Sequence, residues 1–261
     1  MERLLTRWGK TLNKELPLND YPRPQMRRDS FINLNGEWNY AIYDEYKKFA
    51  GYQGKITVPF SPECILSGVE KIVEPTDILY YQKFFDFKRT NHRVLLHFGA
   101  VDYECTVILN NKVVGEHKGG YLPFTFDITT LILDGENDLR VEVKDPTQTG
   151  TQARGKQTFK RGGIWYTPQS GIWQTVWIEE VCEGYIESVK LTPDIDYDEL
   201  KIEVNYNGDP NAEMAAIALD KGVVMAGCKL ENGKGVIKLS DYECWSPENP
   251  KLYDLKIVAG N

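Results

Sequence analysis

The run Gly150-Thr-Gln-Ala-Arg-Gly155-Lys156-Gln157 has the G-x-x-x-x-G-K spacing of a loop that cradles phosphate. Such a loop needs a Ser or Thr after the lysine to hold magnesium, and Gln157 stands there instead. It also needs a helix whose N-terminus faces the phosphate, but Thr158 to Tyr166, with Gly162-Gly163 inside it, has no helical pattern. The segment reads as a mobile or substrate-side loop rich in Gly, Thr and basic residues. Nucleophile signatures are missing. There is no G-x-S-x-G, and none of the five cysteines (Cys64, Cys105, Cys182, Cys228, Cys244) has a histidine close in sequence. The cysteines are odd in number and form no C-x-x-C, and His92, His97 and His117 show no H-x-x-x-H. Neither a disulfide framework nor a zinc site is expected, and no motif asks for a cofactor. Carboxylates are plentiful, but Glu142 and Glu203 alternate with apolar residues and read as solvated charges on strand faces.

The most informative stretch is Arg161 to Trp177, RGGIWYTPQSGIWQTVW. Trp173, Thr175 and Trp177 share one face of an expected strand, with Gln174 and Val176 on the other, so the two tryptophans read as core. Trp165 and Tyr166 lie in a Gly/Pro-punctuated loop. Two readings stay open for them: packing under the loop, or exposed planes for the apolar face of a sugar ring, with nearby amides and hydroxyls taking its OH groups.

Elements that would position such a loop follow from periodicity. Tyr103–Leu109, Leu139–Lys144 and Leu200–Tyr206 alternate apolar and polar residues, the signature of half-buried antiparallel strands. Further short strands are expected at Glu37–Ile42, Leu79–Phe87, Arg93–Phe98, Phe124–Ile128, Thr175–Glu180, Ile186–Leu191, Ala215–Leu219, Gly235–Leu239 and Leu252–Val258. Turn signals at Asn35-Gly36, Asn110-Asn111, Asp134-Gly135, Asn207-Gly208 and Asn232-Gly233 separate them. Asn110-Asn111 has the form of a tight hairpin turn with positive φ. A buried free thiol is expected at Cys105, inside an alternating segment.

The 261 residues would fit one (β/α)₈ barrel, which needs about 250. No segment, however, has the helical period a barrel requires between strands. The chain is therefore expected to be all-β, with a boundary near residue 183: a first sandwich over 1–183, including the irregular stretch Asp145 to Ser170, and a smaller immunoglobulin-like sandwich over 184–261. The balance of 31 basic against 38 acidic residues, net −7, argues against nucleic acid or an anionic membrane as partner. No apolar run is long enough for a membrane span. In Met1–Asp20 the one apolar pair, Leu4-Leu5, runs straight into Thr6-Arg7, so no signal-peptide core is seen and a cytoplasmic location is expected.

Several segments, in fixed order, carry a resemblance: Pro24 with Arg27–Trp38, Val58–Glu63, Leu96–Gly120, Tyr121–Ile128, Asp134–Asn137, Ser170–Trp173 with Val176-Trp177, and Trp245–Tyr253. Together they resemble the amino-terminal sugar-binding domain and following immunoglobulin-like domain of glycoside hydrolase family 2, which includes β-galactosidases, β-glucuronidases and β-mannosidases. The resemblance implies a jelly-roll-like (galactose-binding-like) sandwich, then an immunoglobulin-like sandwich, then a catalytic barrel beyond this chain. The family's acid/base glutamate follows an asparagine, and no Asn-Glu dipeptide occurs here, so no catalytic residue is expected in this chain. What it implies for the parent is a retaining β-glycosidase acting on a β-glycoside, with room for a homo-oligomer, in which this portion scaffolds the barrel and lends a loop to the substrate pocket. Several galactosidases and glucuronidases carry an acidic substrate contact in the loop before Ser-Gly-Ile. Counting back from Ser170-Gly171, this sequence has Trp165 there. Trp165 and Tyr166 are accordingly expected as one wall of a sugar subsite. The competing reading is a free-standing carbohydrate-binding module without hydrolase activity; a purely structural or adhesive sandwich is the third.

Overall fold

Alternation puts the apolar side chains of each strand on one face, and in a computed structural model of the chain those faces close on each other in pairs of sheets. The structure describes residues 5–23 and 26–260, so Pro24 and Met1–Leu4 of the sequence readings lie outside the described residues. The chain divides into two compact units: the first takes the described residues up to Pro22 and Arg28–Glu180, and the second takes those from Val181 onward together with the short stretch between Arg23 and Arg27.

The first unit contains β1 (Ile32–Asn33), β2 (Gly36–Asp44), β3 (Gly54–Val58), β4 (Asp77–Phe87), β5 (Arg93–Phe98), β6 (Val101–Asp102), β7 (Glu104–Leu109) and β8 (Lys112–Lys118). It continues with β9 (Phe124–Asp127), β10 (Gly135–Lys144), β11 (Gly171–Ile172) and β12 (Val176–Val181). One sheet has the order β3-β2-β4-β10-β7-β8, a second β1-β12-β5-β9, and β11 pairs with β6. The central register is Leu79↔Val143↔Cys105 and Tyr81↔Val141↔Val107, and all six side chains are buried. They meet Val94, Leu96, Phe98, Val176 and Ile178 from the second sheet in one core. Burial of each aliphatic side chain there contributes about 1.5–3 kcal/mol, which is what holds the two sheets together. Burial also pushes the Cys105 thiol up to about 12, leaving it an inert core residue.

The second unit contains β13 (Tyr185–Asp194), β14 (Glu199–Asn207), β15 (Met214–Asp220), β16 (Val223–Leu230), β17 (Lys234–Lys238) and β18 (Asp254–Ala259). Its sheets are β13-β14-β17 and β16-β15-β18, and Ile202 and Ile237 from one meet Met214, Ala216 and Ala218 from the other. Among the described residues, helix is confined to one α-helical turn, Arg7–Lys10, and a 3₁₀ turn, Ile65–Ser67. No helix among them is long and apolar enough to cross a membrane.

Turn chemistry behaves as its residues dictate at two of the expected places. Asn110 and Asn111 have φ 51° and 64° and join β7 to β8. Asn232 and Gly233, φ 50° and 76°, form a two-residue turn from β16 into β17, closed by Glu231 and Lys234 exchanging backbone hydrogen bonds. A third such turn, Lys221-Gly222 with φ 47° and 84°, carries no Asn or Asp and has no sequence signal of comparable strength. Strands β3, β8 and β16 are longer or newer than the sequence suggests, because Gly54, Gly115 and Gly227 weaken their pattern. The expected strand through Trp173–Trp177 is corrected: β11 ends at Ile172, the chain bends at Gln174, and pairing resumes at Val176. Trp173 and Trp177 therefore do not share a strand face.

Candidate functional site

The loop Asp145 to Ser170 leaves β10 and returns through β11, so its two ends are set by adjacent elements of the first unit. Gly171 and Ile172 pair with Asp102 and Val101, which places the Asp102 carboxylate beside the returning chain. Ser170 Oγ donates to Asp145 Oδ2 at 2.7 Å, Thr147 N donates to Asp145 Oδ1 at 2.7 Å, and Ser170 N donates to Glu63 Oε2 at 3.2 Å. Val73 N donates to the other oxygen of Glu63 at 3.3 Å. Three carboxyl groups thus gather at the base of one loop.

Their electrostatics follow from burial. Desolvation pushes Glu63 up to about 7, against the lowering effect of its backbone hydrogen bonds. Asp102 also rises to about 7, first through desolvation and then through repulsion by Asp145. Asp145 itself is raised by desolvation, opposed by its bonds from Ser170 and Thr147. Carboxyls poised near neutrality can serve as acids or bases. Here, however, the oxygens of Glu63 and Asp145 are committed to backbone N–H groups and to Ser170. The arrangement fastens a loop; it does not present a free acid–base pair.

Gly171 shows why Ser-Gly-Ile is required at this place. Its φ is +79°, and a Cβ there would lie 2.1 Å from the Tyr81 hydroxyl oxygen. That hydroxyl accepts from Ile172 N at 3.2 Å, and burial holds the phenol far above its ordinary range. Only glycine lets the backbone pass so close to the ring.

Above this base the loop folds back on itself. Tyr166 N donates to Lys156 O and Thr158 N to Tyr166 O, both at 2.9 Å. Gly162 and Trp165 exchange backbone hydrogen bonds at 3.2 and 3.1 Å around the tip Gly163-Ile164. Gln157 ties the fold-back to the base: its side chain bonds Asp102, accepts from Gln169 N at 2.6 Å and lies 3.5 Å from the Tyr121 hydroxyl. Gln148 Oε1 accepts from Thr158 Oγ1 and Phe159 N, pinning the middle of the loop.

The two expected site residues sit on this fold-back. Trp165 is 49% and Tyr166 61% exposed, so neither ring is packed under the loop. Trp173 is half-buried; its Nε1 donates to Gly120 O at 2.7 Å and its ring meets Tyr121 edge-on at 6.1 Å. Trp177 is core-like, stacked 4.8 Å from His97. Its Nε1 donates to Glu179 at 3.0 Å. Glu179, fully buried, also meets Arg28 Nε at 3.0 Å, the Tyr21 hydroxyl, and His97 Nε2 at 3.3 Å. Sequence reasoning missed Glu63, Asp102, Asp145, Gln157 and Tyr121, since nothing in their local pattern marks them as neighbours. Its reading of Glu203 as a solvated charge holds, paired with exposed Lys190 and Lys234, while Glu179, on which it made no reading, is fully buried.

Elsewhere the chemistry is sparse. No cluster of three or more metal-ligating side chains occurs among the described residues, and the five cysteines are unbonded. In the second unit an open groove of about 570 Å³ on the outer face of β16-β15-β18 is lined by Ala215, Ile217, Gly227 and Val258, with Lys229 and Glu213 paired at its rim. It offers apolar side chains and the free thiol of Cys228, which burial shifts above the ordinary thiol range.

Residues 53–174, which hold the whole of this loop and its carboxylates, match the glycosyl hydrolase 2 galactose-binding domain-like family. A protein of Thermoanaerobacter pseudethanolicus named beta-galactosidase is 27% identical over 260 residues, covering 90% of this chain and 34% of the relative. One of Formosa agariphila named putative beta-glucuronidase is 28% identical, covering 62% of this chain and 20% of the relative. Among solved structures, a Ruminococcus gnavus β-glucuronidase superposes with TM-score 0.71 at 18% identity, covering 91% of this chain and 44% of that one. The Faecalibacterium prausnitzii β-glucuronidase gives 0.68 at 22% identity, covering 92% and 46%. These likenesses show a shared fold, and the chain spans about a third of the length of the first curated relative. The all-β first unit and the Ser-Gly-Ile return agree with the family match, and residues 53–174 carry the galactose-binding-like domain of glycosyl hydrolase family 2.

Proposed function

We propose that this chain is the non-catalytic portion of a retaining β-glycosidase, in which the loop Asp145–Ser170 lends Trp165 and Tyr166 to the substrate pocket as one wall of a sugar subsite. Residues 1–183 act as the sugar-binding jelly-roll-like sandwich, and residues 184–261 as an immunoglobulin-like sandwich. The observation that carries the reading is the pair of exposed aromatic rings on a loop whose base is fastened by buried hydrogen bonds. An exposed flat ring matches the C–H face of a pyranose, and a fastened base keeps the ring where it is needed without an ordering cost at each binding event. The absence of an Asn-Glu dipeptide supports a chain without the acid/base residue. In the complete enzyme two carboxyls about 5–5.5 Å apart carry out double displacement on a β-glycoside. In this reading the enzyme is cytoplasmic, can form a homo-oligomer and has carbohydrate as its partner; the net charge of −7 supports the exclusion of nucleic acid and of an anionic membrane.

The test is steady-state kinetics on the full-length polypeptide that contains this chain. Trp165→Ala with Tyr166→Ala raises KM for a β-glycoside substrate several-fold with a smaller change in kcat. Unchanged kinetics overturn the subsite, and tight glycan binding by the 261-residue chain alone favours a free-standing binding module instead.

A further inference from the structure

Gln157 stands where a phosphate loop would carry Ser or Thr, and the tertiary structure gives its longer amide side chain a different task. Its backbone lies beside Tyr166. Lys156 O accepts from Tyr166 N and Tyr166 O accepts from Thr158 N, both at 2.9 Å, so the residues on either side of Gln157 hold Tyr166 in a parallel bridge. Trp165 is tied in by its own bridge to Gly162 and by the next peptide bond of the chain. A movement of Gln157 therefore carries both exposed rings with it.

The side chain of Gln157 is held at both ends of its amide. Oε1 accepts from Gln169 N at 2.6 Å, which turns Nε2 to the other side, where it donates to the Asp102 carboxylate and lies 3.5 Å from the Tyr121 hydroxyl. Asp102 belongs to the framework and not to the loop: it sits in β6, paired with Gly171 of β11, and is 5% exposed. Gly120 presses on it so closely that a Cβ at that glycine would lie 2.4 Å from Asp102 Oδ1. Gly120 O in turn accepts from Trp173 Nε1 at 2.7 Å, and the Trp173 ring meets Tyr121 edge-on. A carboxylate so deeply placed requires a donor, and the Gln157 amide supplies one. The loop is thus bonded to an anchor that has little room to follow it.

We propose that Gln157 is the positioning residue of the sugar subsite, its side chain bonded to Asp102 and Gln169 so that the Lys156–Tyr166 fold-back presents Trp165 and Tyr166 to a sugar ring in one fixed place. The inference rests on the sugar-subsite reading above and adds to it the contact that sets the rings. Without that contact the loop stays fastened at Asp145 and Ser170, but its upper part can shift, and each binding event must order it again.

Steady-state kinetics of the full-length polypeptide that contains this chain test the assignment, on the 4-nitrophenyl β-glycoside that it hydrolyses fastest. Gln157→Leu, close in size but without the amide, raises KM about three- to tenfold, as the loss of one or two hydrogen bonds would, and leaves kcat within about twofold of the parent. Gln157→Glu keeps the acceptor for Gln169 N but faces Asp102 with a second carboxyl, and also raises KM. Asp102→Asn combined with Gln157→Glu reverses the bond, the new amide at position 102 donating to the new carboxylate at 157, and returns KM to within about twofold of the parent. Damage to the fold would lower kcat and would not be repaired by a second substitution. An unchanged KM in Gln157→Leu, with a raised KM in Trp165→Ala plus Tyr166→Ala, overturns the positioning role and leaves the subsite standing. A raised KM in Gln157→Leu that the reversed pair does not restore overturns Asp102 as the anchor, and the proposal with it. An unchanged KM in the variant without the two rings overturns the subsite and the proposal together.

Discussion

Ser170 Oγ donates to Asp145 Oδ2 at 2.7 Å, and this one buried contact joins the two ends of a 26-residue loop. Loops of that length without strands or helices are uncommon in compact domains, and those that occur are mostly functional. Ordering so long a segment costs conformational entropy, which fixed ends reduce. Ser170→Ala leaves the Asp145 carboxyl buried with one partner fewer. A loss of about 1–3 kcal/mol is expected in chemical denaturation, together with faster proteolysis between Gly150 and Gly163. An unchanged cleavage rate would show that the loop is held by other contacts.

The stability of the first unit depends on pH through Glu63 and Asp102. Both hold their protons up to about 7 when folded, while ordinary carboxyls in the unfolded chain release theirs near 4. Folding therefore takes up protons between those limits. Stability is greatest at the acidic end of the window, falls as pH rises through 7, and levels off above it. The slope is at most about 1.4 kcal/mol per pH unit for each group. Asp102→Asn removes its share, so the melting temperature of that variant varies less between pH 5 and pH 8. A profile that rises with pH in the parent chain contradicts the assignment.

Gly171 and Tyr81 make a coupled pair. Gly171→Ala forces a Cβ into a positive-φ residue and into the Tyr81 hydroxyl, and a cost of about 3 kcal/mol or more is expected. Tyr81→Phe removes only the bond to Ile172 N, about 1 kcal/mol. The double variant is expected to be more stable than the sum of the two, since removing the hydroxyl relieves the clash. Strict additivity would place the strain elsewhere.

Glu179 is the opposite of the exposed ion pairs on the second unit. It sits fully buried among Arg28, His97, Trp177 and Tyr21. Glu179→Ala breaks a buried pair and is expected to cost about 3–5 kcal/mol, read as a large drop in denaturation midpoint. Glu203→Ala, which removes a partner of exposed Lys190 and Lys234, should leave that midpoint almost unmoved.

Much of the scaffold was legible in the order of residue types. Alternation in Leu139–Lys144 named the central strand, and the structure pairs those residues with Leu109–Glu104 in the register that alternation requires. Asn110-Asn111 announced a turn with positive φ because Asn tolerates that region. The sequence also set the trait that matters most for the loop: aromatic side chains in a Gly/Pro-rich stretch. Tertiary structure alone decided which residues that stretch would meet. Glu63, Asp102 and Asp145 are separated by dozens of residues and converge only because β11 returns beside β6; no local pattern encodes that meeting. Exposure of Trp165 and Tyr166 and burial of Trp177 and Glu179 are likewise properties of the assembled backbone. Periodicity fixes the face on which a side chain lies, a matter of its immediate neighbours. Whether that face then meets water, a core or a carboxylate depends on chain segments distant in sequence, and is settled only when they pack.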